Sequence, residues 1–281
     1  MGAEPNIGDY DDWHHLSTTT SQRIPPMNID FQPLDFAALA AFVLVWIGYG
    51  IIFDGICRRP TSINAQMLVI REAWMMRMLR RDVRIMDSTL IGHSIHSATF
   101  FASTTIILLA ALVGVMGSAE RVHSTAVNLS ILFAGTSQGM FEMKVLLLIA
   151  IYVYAFFKFT WAIRQFNYFC AIIGAAPEAA SEPSRAMAKR MSVLLTHAIW
   201  QFNSGVRAHY FAIAALGWLI HPLVFLGLTL LVPGLLVRRQ LFSVTAQTIA
   251  DHANDLSAIE IVAPAATSAE RARAGSDHSG S

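Results

Sequence analysis

Apolar residues run along this chain in blocks longer than a soluble core helix needs, separated by short polar and arginine-rich stretches. The first block, Phe36 to Phe53, is bounded by Asp35 and Asp54. A hydrocarbon core of about 30 Å takes about 20 helical residues to cross, so this block predicts a membrane span. The second lies within Asp87 to Gly117, whose later half is apolar and whose earlier half carries His93, Ser94, His96, Ser97 and Thr99. At 100° per residue, Thr89, His93, His96, Ser97, Phe100, Thr104, Ile107, Ala111 and Gly114 share one stripe. Its polar half suits protein or water better than lipid, so the stripe reads as an inward-facing seam. A third span runs from Lys144 to about Gly174, and a fourth from about Tyr210 to Val232. Pro222 interrupts the fourth by removing the hydrogen bond to the carbonyl of Trp218, which predicts a kink beside His221.

The intervening stretches are amphipathic. In Asn64 to Asp87, Met67, Ile70, Trp74, Met78 and Met75 mark one face, while Arg71, Arg77, Arg80, Arg81 and Arg84 supply the charge. Such a helix lies on a membrane surface or docks beneath a bundle. A bend is expected at Asp87 to Thr89, with Asp87 capping the new helix. Ser184 to Asn203 is a second amphipathic stretch, and residues 238–256 a third. The apolar patch Leu129 to Ala134 is too short to span. The organisation predicted is all-α: a polytopic membrane helical bundle of about four transmembrane helices plus amphipathic cytoplasmic helices. It occupies residues 35–245, between a polar acidic tail at 1–34 and a helix end with a disordered tail at 246–281.

Composition agrees with lipid as the solvent. Charged residues are 14% of the chain and hydrophobic ones 54%, where soluble domains carry about 25% charged. A net charge of +1 gives no reason to expect nucleic acid as a partner. Cys57 and Cys170 have neither disulfide-framework nor zinc-ligand spacing, and no cleaved signal peptide is expected. Thirteen of the twenty Lys and Arg residues fall in or beside the loops after spans 1 and 3, which the positive-inside rule assigns to the cytoplasm. With four spans of an inner membrane, both termini are then extracytoplasmic. Arg238 and Arg239 are discordant with that orientation, and Pro222 leaves room for a re-entrant segment returning the C-terminus inside.

Thr99 to Ile106 (TFFASTTI), Phe156 to Pro177 (FFKFTWAIRQFNYFCAIIGAAP) and Val206 to Trp218 (VRAHYFAIAALGW), with the arginine-rich first loop and the RRQLFS stretch, resemble the domain of unknown function 599 family of bacterial and plant membrane proteins. The resemblance covers about residues 36 to 245. It implies a compact multi-spanning helical domain and no particular activity. The chain departs from it at Gly92 and His93, where a basic residue and an asparagine are expected.

Candidate chemistry is sparse. His93 and His96 near the start of span 2, and His209 near the start of span 4, are expected at matching depth, as paired haem or metal ligands on two helices would be. Hydrogen bonding to Ser and Thr across helices is the alternative. Arg84, Arg164 and Arg207, with Lys158 slightly deeper, are expected to converge at the cytoplasmic mouth, where they could hold an anionic lipid headgroup or solute. Asp87 is the expected partner of Lys158 or Arg164. No nucleophile is spaced beside a base, no Gly-rich phosphate loop occurs, and neither a catalytic set nor a resident cofactor is expected. The reading is an integral membrane scaffold, lipid-binding or accessory subunit embedded in the bilayer, working alone, as a homo-oligomer or with other membrane subunits. A channel or transporter built on the seam of span 2, and a haem-binding electron-transfer subunit, are the alternatives.

Overall fold

The computed structural model describes residues 32–57, 62–122, 137–177, 184–241 and 243–259, all helix or short connection with no strand among them. The acidic tail up to residue 31, the Leu129 to Ala134 patch and the low-complexity tail beyond 259 lie outside the described residues, and the last two residues expected in the acidic tail, Pro33 and Leu34, belong to the first helix. The helices are α1 (Pro33–Cys57), α2 (Ile63–Leu79), α3 (Ile85–Gly117), α4 (Gln138–Gly174), α5 (Arg185–Ile220) and α6 (Pro222–Leu241), followed by a helical stretch, α7, at 244–259. Four segments are long and apolar enough to cross a membrane: Pro33–Ile52, Ile85–Gly117, Gln138–Gly174 and Pro222–Ile259.

Local chemistry sets the boundaries. Pro33 opens α1, where a missing N–H costs nothing. The Ser62 hydroxyl accepts from the Ala65 N–H at 3.2 Å to cap α2, and the Ser137 hydroxyl accepts from the Met140 N–H at 3.3 Å to cap α4. The bend between α2 and α3 comes at residues 80–84, earlier than expected. Asp87 is therefore in the first turn of α3 and is fully buried instead of capping it.

α4 lies antiparallel to α5, with Lys158 beside Gln201 and Phe159 beside Gly205. At 1.5 Å per residue these two helices are each about 55 Å long, well beyond a hydrocarbon core. The excess forms a second, smaller core. One cluster centres on Phe42, Phe159, Phe211, Trp218 and Phe225, from α1, α4, α5 and α6. The other joins Met75 and Met78 of α2 to Ile91, Phe166, Phe169, Met191 and Leu195 at the start of α3, the end of α4 and the start of α5.

The expected fourth span is two helices. His221 has an extended backbone (φ −161°, ψ 143°), as a residue before proline prefers. Its Nδ1 accepts from the Leu223 N–H at 3.1 Å, so the imidazole opens α6. The chain reverses here. A Cβ on Gly217 would lie 2.8 Å from Leu228 Cδ1, whereas eleven residues of straight helix would separate the pair by about 16 Å. The Phe225 ring accordingly stacks on Trp218, with centroids 5.1 Å apart, and reaches Phe42 of α1, also at 5.1 Å. What the sequence presents as a kink is a hairpin, because Pro222 both denies a hydrogen bond to the preceding turn and starts a helix well.

Candidate functional site

The polar stripe of α3 does not face inward. Its buried residues are Asp87, Ile91, Ala98, Ala102 and Thr105, while Thr89, His93, His96, Ser97, Phe100, Ile107, Ala111 and Gly114 are exposed. Phe100 is 63% exposed and Ile107 69%. The stripe's hydroxyls are satisfied within the helix: Thr89 donates to the Ile85 carbonyl, Ser97 to that of His93 and Thr104 to that of Phe100. A hydroxyl that bonds back one turn tolerates an apolar setting, which removes the reason to expect that face in the interior.

His209 is where the interior polarity lies. Its Nδ1 is 3.2 Å from the Gly205 carbonyl and its Nε2 3.3 Å from the Thr105 hydroxyl. The Gly205 carbonyl calls for a proton on Nδ1. The single Thr105 hydroxyl proton is then divided between Nε2 and the Phe101 carbonyl, which lies 2.6 Å away. The rings of Phe101, Tyr152 and Phe159 surround the imidazole at centroid distances of 6.0, 5.2 and 5.5 Å. Both nitrogens are therefore engaged in hydrogen bonds. His93 and His96 stand twelve and nine residues from Thr105 along α3, about 18 and 14 Å away along the axis. The expected matching depth fails because α5 begins at Arg185 and not near Tyr210, which puts His209 two-thirds of the way along its helix. Among the described residues no three His, Cys, Asp or Glu side chains gather in a way that could hold a metal ion.

The expected basic ring is also dispersed. Arg84 donates to the carbonyls of Ala176 (3.0 Å) and Pro177, just past the end of α4. Arg164 is exposed on the side of α4. Lys158 donates to Gln201 Oε1 at 3.1 Å and lies over the rings of Tyr154 and Trp200, at 5.3 and 5.4 Å. Arg207 donates to the Ser204 hydroxyl at 2.7 Å. In the α4–α5 register Arg207 lies near the level of Tyr154, so the four cations are strung over about 30 Å of bundle length. Only Arg84 sits at the end.

Asp87 takes partners other than those expected. Its Oδ1 accepts from the Trp74 indole at 2.6 Å and from Arg81 at 2.7 Å, tying α2 to α3, while its Oδ2 has no hydrogen-bond partner. A matching tie closes the other end: Trp218 donates to Asp35 Oδ1 at 2.8 Å, joining α5 to α1, and Lys144 Nζ lies 5.8 Å from the centre of the same indole. Sequence reasoning passed over both tryptophan–aspartate pairs, because their partners are 13 and 183 residues apart.

It also passed over Arg71. This residue is 6% exposed, and its Nη1 donates to the Thr196 hydroxyl at 3.0 Å. Burial pulls its pKa down to about 10, so the guanidinium remains charged at neutral pH. The signal was present: Arg71 falls on the stripe of Met67, Trp74, Met75 and Met78, where an apolar residue would be expected.

The chain belongs to the family described as "Protein of unknown function, DUF599", whose profile matches residues 37–245. No curated protein and no solved structure matches it. The matched range takes in all of α2 to α6, most of α1 and the whole Trp74–Asp87 tie, while Asp35, the partner of Trp218, lies two residues before it.

Proposed function

We propose that this DUF599 chain is a noncatalytic, multi-pass membrane protein that acts as a scaffold, lipid-binding or accessory subunit through its outer surface. One observation carries the reading: the centre of the bundle is filled with aromatic rings, while His93, His96 and Arg164 point outward. Phe42, Trp46 and Phe211 meet at centroid distances of 5.4 to 5.9 Å, and Phe101, Phe159 and Phe202 at 5.5 to 5.8 Å. Interiors packed in this way leave little space for a solute. The purified protein in proteoliposomes is expected to show neither substrate turnover nor ion flux; turnover without any partner overturns the reading.

The orientation proposed puts the second core, with α2 and the α4–α5 connection, in the cytoplasm of a cell with an inner membrane. Lys144 and Arg164 are twenty residues apart on α4, about 30 Å, which suits the two faces of the bilayer. Trp161 and Tyr168, both about half exposed beside Arg164, fit an aromatic belt. The reversal at His221 carries the chain back from the Lys144 level, so Arg238 and Arg239 join the basic side and the discordance disappears. The proposed topology therefore has the start of α1 outside and the end of α6 inside, where the sequence reading had both termini outside. Reporter fusions after residue 34 and residue 259 are expected to report opposite sides; the same side for both overturns it.

A channel or transporter along α3 is the second reading. It is restricted by the outward stripe to a path between copies of the chain. Flux that disappears in His93→Ala and His96→Ala would replace the scaffold reading with this one.

A further inference from the structure

We propose that Arg71 binds the phosphate of a lipid headgroup at the cytoplasmic side of the bundle, in the seam between α2 and α5 beside the Thr196 hydroxyl. The argument begins with an incomplete set of bonds. A guanidinium carries five N–H donors in a planar fork and holds its charge in any ordinary environment. Arg71 is more than nine-tenths buried, and the one bond that fork makes among the described residues goes to a neutral hydroxyl. The Thr196 hydroxyl gives its own proton to the Ser192 carbonyl at 2.7 Å, so toward Arg71 it only accepts. No carboxylate is bonded to Arg71 among the described residues. The neighbouring Glu72 is turned to Arg185 instead, at 3.4 Å. Buried cations are normally paired, and an unpaired one is strongly unfavourable. Among the described residues nothing supplies the opposite charge.

Depth identifies the source. In the α4–α5 register Thr196 stands level with Arg164, about 30 Å along the bundle from Lys144. On the membrane placement proposed above, on which this inference rests, that is the level of the headgroup phosphates in the cytoplasmic leaflet. Phosphate oxygens match the guanidinium fork in pairs, which a point charge such as lysine does not exploit. Lys189 lies seven residues before Thr196 on α5, hence two turns away on the same face, and is exposed toward the aqueous side. It adds attraction for an anionic headgroup without entering the seam.

The test uses the full chain, purified in a neutral detergent and stripped of lipid, with thermal unfolding as the readout. Phosphatidylglycerol at about a hundred times its Kd is expected to raise Tm by about 5 °C. Diacylglycerol, which lacks the phosphate, and inorganic phosphate are expected to leave Tm in place. In Arg71→Met the lipid-free Tm is expected to stay level or rise and the phosphatidylglycerol response to vanish. A response that persists in Arg71→Met, or that diacylglycerol reproduces, overturns the site. So does a lower lipid-free Tm in Arg71→Met, which would make the arginine a structural tie to Thr196. An equal response to inorganic phosphate overturns the lipid source. Should Arg71→Met not fold, Arg71→Lys keeps the charge and loses the fork; it is expected to need several-fold more phosphatidylglycerol, and an unchanged requirement overturns the proposal. Reporter fusions that report the same side of the membrane would end the proposed placement and leave the phosphatidylglycerol response in detergent standing, so the two failures are distinguishable.

Discussion

Each end of the bundle is closed by a buried aspartate held by a tryptophan indole, but the two ties differ in kind. Asp87, at the basic end, accepts from Trp74 and from the Arg81 guanidinium on the same oxygen. Among the described residues Asp35, at the far end, accepts from Trp218 only, and Lys144 Nζ lies over the same indole at 5.8 Å from its centre. The first is an ion pair reinforced by a hydrogen bond. The second is a hydrogen bond with a cation over the donor's ring. Arg81 is partly exposed, so at the basic end water helps to carry the second charge. At the far end Lys144 and Asp35 are both nearly fully buried, and a direct pair would have to overcome the desolvation of both ions.

Removing Asp87 should have the largest effect on stability. Asp87→Ala strands the Trp74 N–H and the inner face of Arg81, and is expected to lower stability by about 3 kcal/mol in detergent unfolding. Asp87→Asn keeps an acceptor for the indole and loses the ion pair, and should fall between that variant and the parent chain. The comparison is sharpest at Asp35→Asn, which preserves the Trp218 bond and is expected to be milder than Asp87→Asn, at about 1 kcal/mol. Should Asp35→Asn prove the more damaging of the two, Lys144 depends on that carboxylate more than the geometry indicates.

Packing inside the bundle and on its outer face can be compared in the same way. A Cβ on Gly205 would meet the Phe159 ring at 2.6 to 2.9 Å, so Gly205→Ala has to displace a fully buried ring at the join between α4 and α5. A loss of about 2 kcal/mol is expected, and Gly114→Ala, with nothing within 4 Å of the new methyl, serves as the control. The smallest effect is predicted for the outward face of α3. His93→Ala and His96→Ala should change the unfolding of the isolated chain by less than about 0.5 kcal/mol. A larger loss would mean that these imidazoles are buried in an assembly that survives purification, which size-exclusion chromatography would detect.

Much of this arrangement was legible along the chain. Phe36 to Phe53, the apolar half of Asp87 to Gly117 and the stretch after Lys144 all became long apolar helices, because length and hydropathy alone decide whether a segment can cross lipid. The amphipathic stretch after Asn64 became α2, with Met75 and Met78 buried as its periodicity indicated. The inward direction of the α3 stripe was not legible. Periodicity shows that His93, His96 and Ser97 share a face, but hydroxyls bonded back to Ile85, His93 and Phe100 relieve the need to bury it. His209 was misplaced for a different reason. Its depth depends on where α5 begins, and the amphipathic and apolar parts of that helix read as two elements when they are one.

The sequence by itself determined the helical class, the number of long apolar segments, the basic end of the molecule and the family, since each of these follows from local composition and spacing. Only the tertiary structure decided that Pro222 marks a hairpin, that Trp74 and Trp218 find aspartates on other helices, and that Arg71 is buried against Thr196 with no carboxylate bonded to it among the described residues. Those outcomes depend on which helix packs beside which. A one-dimensional pattern fixes the faces of a helix but not the neighbour each face will meet.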